Sequence, residues 1–98
     1  MTIEKLLNGE SAQIMVVGRL DTQTAPELEK EIDEIICNIK DLTFDMKGLE
    51  YISRAGLRVI LKFQKIMNTK GCMKITGVND NIMEVFEITG FLDILTIE

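Results

Sequence analysis

Residues with chemistry to offer gather in two short stretches of this chain. Ser53-Arg54-Ala55-Gly56 brings a hydroxyl, a guanidinium and a glycine together just ahead of a helical apolar pattern. A hydroxyl there accepts a hydrogen bond from the unpaired amides of a first helical turn. The positive end of the helix dipole also favours an anion, a phosphoryl group included. Gly56 in that turn costs up to about 1 kcal/mol against alanine, which suggests that something comes close to this backbone. The second stretch is the polar loop Asp21-Thr22-Gln23-Thr24, which follows a strand-like run. Ligands of α/β folds gather beyond the carboxyl ends of strands, so both stretches are expected along one sheet edge. Each also has a plainer explanation: an N-cap followed by a solvated arginine, and a local turn made by Asp21.

The composition removes several kinds of chemistry. With no histidine in the chain, Ser-His-Asp and Cys-His catalysis and the commonest metal ligand are gone. Asp45 and Glu50 are close in sequence, but no carboxylate pair is evidently held for acid–base work. Cys37 and Cys72 have no metal-ligand spacing, and their apolar neighbours suggest buried thiols. A net charge of −5 argues against general nucleic-acid binding. One tyrosine and no tryptophan make an aromatic stacking platform a poor reading. No cofactor and no metal are expected. No apolar run approaches the roughly 18 residues of a membrane span, and Met1-Thr2-Ile3-Glu4-Lys5 lacks the order of a signal peptide. The expectation is a cytoplasmic protein without membrane insertion.

The elements that must position the two stretches follow from the chain in order. Residues 1–98 suffice for one small domain. Thr2 to Asn8 and Ser11 to Leu20 read as an antiparallel hairpin, reversed at Gly9-Glu10. The apolar run Gln13 to Val17 suggests a second strand covered on both faces. Thr24-Ala25-Pro26-Glu27 has the spacing of a capping box with proline in the first turn. Leu28, Ile32, Ile35, Ile36 and Ile39 then extend one apolar helical face. A strand at Asp41 to Met46 leads through a Lys47-Gly48 turn to a helix over about Arg54 to Thr69, closed by Gly71 with positive φ. Cys72 to Thr76 is the next strand. A helix over about Asn81 to Thr89 follows, capped by Asp80 or Asn81 and closed by Gly90. Leu92 to Ile97 reads as a last short strand. Strand–helix–strand units of this length imply right-handed parallel crossovers. The fold class is α/β, a mixed four- to five-stranded sheet with packed helices.

Charge is unevenly spread. Tyr51 to Asn79 contains no acid, whereas Arg54, Arg58, Lys62 and Lys65 recur at helical spacing. The first helix carries acids on its polar face. The basic stripe is either a solvated face or a docking surface for an acidic partner, since same-sign neighbours at i,i+4 are mildly destabilising.

With these residues in place, the chain resembles the STAS domains of bacterial anti-sigma factor antagonists. The resemblance rests on Gly18-Arg19-Leu20-Asp21 with Thr24-Ala25-Pro26-Glu27-Leu28, on Asp45 through Ser53 leading into Ala55-Gly56-Leu57-Arg58-Val59, and on Thr89-Gly90-Phe91. It covers nearly the whole chain and implies a single STAS-like domain over residues 1–98. It further implies a non-enzymatic protein that binds an anti-sigma factor, often a serine kinase, and frees a sigma factor. In the family the kinase phosphorylates a residue at the entrance of the second helix to end binding, and a cognate phosphatase restores it. The implied contact surface is Asp21, Thr22, Thr24, Ser53, Arg54, Ala55, Gly56 and Arg58. Aligned on Gly56-Leu57, the family's acceptor position holds Arg54, and Ser53 falls one place earlier. Ser53 is therefore the phosphorylation candidate, against a reading in which no switch operates there. A second functional reading is a STAS accessory or scaffold subunit of a membrane transport complex or signalling assembly. A small hydrolase or transferase is disfavoured by the missing histidine.

Overall fold

A hairpin and three parallel additions build the sheet. In the computed structural model, which describes residues 1–98, β1 (Thr2–Asn8) pairs antiparallel with β2 (Ser11–Leu20), from Thr2↔Val17 to Asn8↔Ser11. β3 (Asp41–Asp45) lies parallel to the first half of β2, and β5 (Cys72–Thr76) lies parallel beyond β3. β4 (Leu49–Ile52) pairs with β2 where β3 leaves off, from Gly18↔Leu49 to Leu20↔Ile52, with a register shift between Gly18 and Arg19. Three helices complete the α/β domain: α1 (Ala25–Asp33), α2 (Arg54–Lys70) and α3 (Asp80–Ile88). The sheet is the mixed one expected, five-stranded. β4 is a strand where the sequence suggested only an approach to the helix. It buries its two end residues and exposes the middle two, so no alternation marks it.

Burial alternates along the central strands, which corrects the expectation that β2 is covered on both faces. Ala12, Ile14 and Val16 are buried, Gln13 and Met15 are half-buried, and Val17 is exposed. Leu42 and Phe44 of β3 and Met73 and Ile75 of β5 share the covered side. The open side corrects the cysteine expectation as well. Cys72 lies on it, exposed, with Sγ donating to Asp41 Oδ1 at 2.7 Å, and that carboxylate pushes the thiol pKa up. Cys37 is exposed too, within a 3₁₀ turn at Ile36–Asn38.

Three element ends also differ from expectation. α1 stops at Asp33 instead of carrying its apolar face to Ile39. The chain must swing back to the head of β3, where the Lys40 amide donates to the Glu10 carbonyl at 2.7 Å. Ile35, Ile36 and Ile39 are buried regardless, so the apolar pattern reported burial and not helix. Gly71 has an extended φ of 179°, not a positive one. It is needed because a Cβ there would collide with the Lys40 carbonyl oxygen. The expected last strand is instead a 3₁₀ turn at Phe91–Asp93, followed by one isolated bridge, Ile75↔Ile97.

One cluster of 25 buried apolar residues holds the layers together. Phe44 of β3, Phe63 of α2 and Phe86 of α3 have no exposed surface. At about 1.5–3 kcal/mol for each fully buried large side chain, they fix both later helices against the sheet.

Candidate functional site

Both chemical stretches leave the same sheet edge. The Ser53 amide donates to the Leu20 carbonyl at 2.9 Å, continuing the β2–β4 ladder by one step. The loop after β2 and the entrance to α2 are therefore neighbours, as the carboxyl-end argument expects.

The loop after β2 is a closed polar turn. Asp21 Oδ1 accepts from the amides of Gln23 (3.0 Å) and Thr24 (3.1 Å). Thr24 Oγ1 also donates to the Arg19 carbonyl and accepts from the Asp21 amide, both at 2.8 Å. The Thr24 amide bond, followed by that from Gln23 and by the charge of Arg19, holds the Asp21 carboxyl below its ordinary pKa. The expected capping box does not form. Thr24 has helical backbone angles and makes no side-chain cap, because its hydroxyl is committed backwards to the turn. Asp21 and Thr24 are half-buried and Thr22 is exposed.

The entrance to α2 is much more loosely tied. Ser53 has extended angles (φ −97°, ψ 177°), and its Oγ accepts from the Gly56 amide at 3.3 Å, the cap expected for it. Gly56 is buried. A Cβ there would lie 2.7 Å from Leu20 Cγ and 3.0 Å from Ile52 Cγ1. The close approach expected at this glycine is thus made by the domain's own β2 and β4. Arg54 and Arg58 are exposed, and Ser53 and Ala55 are half-buried.

The basic stripe on α2 divides in two. Lys62 is bound to α1, donating to Glu29 Oε2 at 2.7 Å and to Asp33 Oδ1 at 3.3 Å. The Glu29 bond first, and Asp33 after it, raise its pKa. Arg54 and Arg58 take part in none of the domain's ion pairs. With Leu57, Thr89 and Phe91 they line a depression of about 220 Å³.

Some positioning roles at this edge were not assigned from the sequence. The Arg19 guanidinium stacks 4.2 Å from the centre of the Tyr51 ring, joining β2 to β4 at the site edge. Asn79, and not Asp80 or Asn81, caps α3, accepting from the Ile82 amide at 2.9 Å. Its Nδ2 donates to the Leu49 carbonyl at 2.8 Å, anchoring α3 to β4. From the sequence only Asp80 and Asn81 were candidates for this cap, with Asn79 left in the preceding turn, whereas the contact with β4 holds Asn79 in place as the cap. Phe91 was visible only as part of the Thr89-Gly90-Phe91 ending.

Comparison with known proteins agrees with this fold. The family model described as the STAS domain matches residues 3–98. The anti-sigma-B factor antagonist of Staphylococcus aureus (strain NCTC 8325 / PS 47) is 29% identical over 97 residues, covering 97% of this chain and 90% of that protein. The protein of the same name from Bacillus subtilis (strain 168) is 26% identical over 91 residues, covering 92% and 84%. Among solved structures, an anti-sigma factor antagonist from Mycobacterium paratuberculosis superposes with a TM-score of 0.88 at 18% identity, covering 98% of this chain and 83% of that one. The antagonist SpoIIAA in its unphosphorylated form gives 0.85 at 14% identity, covering 99% and 88%. At these identities the structural likeness is one of fold.

Proposed function

The chain belongs to the STAS domain family, and from that premise we propose that it is an anti-sigma factor antagonist: a binding protein that captures an anti-sigma factor and so releases a sigma factor. The observation that carries the proposal is the match along almost the entire chain, 97% of it against the S. aureus antagonist. The names of these curated relatives favour this reading over the alternative of a transport-complex subunit. The contact surface on this reading is the shared edge: Thr22 with the Asp21–Thr24 turn, then Ser53, Arg54, Ala55 and Arg58. Gly56 contributes by letting α2 start against Leu20 and Ile52. The work done is binding alone, with no bond made or broken by this chain. The test is a titration of the purified protein with an ATPase-type anti-sigma factor from the same organism. A stoichiometric complex that displaces sigma factor is expected, and absence of a complex overturns the proposal.

The partner, on this reading, is a serine-kinase-like anti-sigma factor, countered where a switch exists by a cognate phosphatase. A serine kinase does not transfer a phosphoryl group to a guanidinium, so Arg54 closes the family's usual route, and we infer constitutive binding. Ser53 is the competing acceptor. Its hydroxyl is half-buried and serves as a helix cap, which costs about 1 kcal/mol to release. Intact mass after incubation with ATP and the kinase separates the two. No phosphoryl gain in wild type, with a gain in Arg54→Ser, supports constitutive binding. A wild-type gain that Ser53→Ala abolishes overturns it.

A further inference from the structure

The depression beside the α2 entrance has a chemistry of its own. Arg54 and Arg58 stand one turn apart in the first two turns of α2, with no acidic partner in the domain. Cations near a helix N-terminus oppose the macrodipole, and like charges at i,i+4 repel. Nothing within the molecule compensates either cost, in contrast to Lys62, which α1 neutralises. Between the two arginines the floor is apolar, made by Leu57 and the half-buried Phe91. The Thr89 hydroxyl already donates its one proton to the Val85 carbonyl at 2.7 Å. The guanidiniums are thus the hydrogen-bond donors left to address an incoming molecule.

Size and charge define that molecule. At about 220 Å³ the depression falls below the roughly 300–1,000 Å³ of small-molecule pockets. It suits one side chain of a protein partner. The chain as a whole carries −5, yet Tyr51 to Asn79 holds no acid. An acidic partner is therefore repelled by most of the surface and steered to this part of it.

Resting on the antagonist reading above, we propose that this depression seats an anchor of the anti-sigma factor: one apolar side chain held against Phe91 and Leu57, with a neighbouring carboxylate paired to Arg58 and Arg54. The determinant of binding then lies on the α2–α3 side of the entrance as well as on the loop that carries Ser53.

The test measures affinity of the full chain for the purified ATPase-type anti-sigma factor, using wild type, Arg58→Glu, Phe91→Ala and, as control, Ile88→Ser. Ile88 is 77% exposed and lies outside the depression. Losses of about 10- to 100-fold are expected for Arg58→Glu and Phe91→Ala, with Ile88→Ser near wild type. Thermal melting identifies any effect of Phe91→Ala that is only a folding defect, and the exposed Arg58→Glu keeps the test valid in that case. Wild-type binding with an unaltered Arg58→Glu affinity overturns the anchor and leaves the antagonist reading standing. Failure of wild type to bind overturns both. A dimer of this chain that Arg58→Glu dissolves also overturns the anchor, because the occupant is then a second copy.

Discussion

Two turns share one sheet edge and are built in opposite ways. After β2, a single carboxylate gathers two amide donors and Thr24 closes the loop back onto the Arg19 carbonyl. After β4, one hydroxyl accepts one bond at 3.3 Å, and the two arginines that follow have no acidic partner. The first turn is saturated and fixed, while the second is left with unused capacity facing solvent. A surface that both holds its shape and engages a partner needs both kinds: a closed turn to set position, and an open one to make contact.

The largest expected disturbance joins the two turns. Gly56 is where α2 rests on the end of β2, so Gly56→Asp forces a charged side chain against Leu20 and Ile52. We expect a loss of about 3 kcal/mol or more, read by urea unfolding. Gly56→Ala should lose about 1–2 kcal/mol, as overpacking outweighs the gain in helix propensity. If Gly56→Ala is instead more stable than wild type, the two turns are not packed through this residue.

Next comes Asp21→Ala, which strips the closed turn of its acceptor. Its thermal midpoint should fall further than that of Ser53→Ala, two accepted bonds being lost against one. The effect should also depend on pH. The folded Asp21 pKa lies below the ordinary 3.8, so its stabilisation is complete above that value and is lost as pH falls through the lower folded one. Unfolding curves at pH 7 and at progressively acidic pH should show wild type and Asp21→Ala converging. A constant gap down to the most acidic pH would mean that the carboxylate is not the turn's organiser.

Ser53→Ala is the smallest of the three, about 0.5–1 kcal/mol for a cap with one long bond. A loss as large as that of Asp21→Ala would erase the distinction between a closed and an open turn.

Much of this edge was legible in the sequence, for reasons that particular residues make plain. Ser53 announced its cap because the serine, the glycine and the apolar period all lie within a few positions of one another. The placement of both turns on one edge followed from strand ends alone. Local pattern failed where a distant contact decides the outcome. Thr24 and Glu27 have capping-box spacing, but the Arg19 carbonyl claims the threonine hydroxyl. Gly71 is a glycine because Lys40 passes close by, not because φ is positive. Ile35, Ile36 and Ile39 keep helical spacing and are buried, yet the need to reach β3 ends the helix first. The basic stripe looked uniform, and only the approach of α1 shows that Lys62 is spoken for while Arg54 and Arg58 are not. The depression under those arginines combines α2 with Thr89 and Phe91, far apart in the chain, so no short motif could have outlined it.

The central claim is that this edge binds an anti-sigma factor. Its most direct measurement is calorimetric titration of the full chain into an ADP-loaded, ATPase-type anti-sigma factor from the same organism, so that no phosphoryl transfer can end binding. A saturable complex of fixed stoichiometry, weakened by Arg58→Glu while the fold stays intact, is the expected result. Absence of binding by the folded wild-type protein would contradict it.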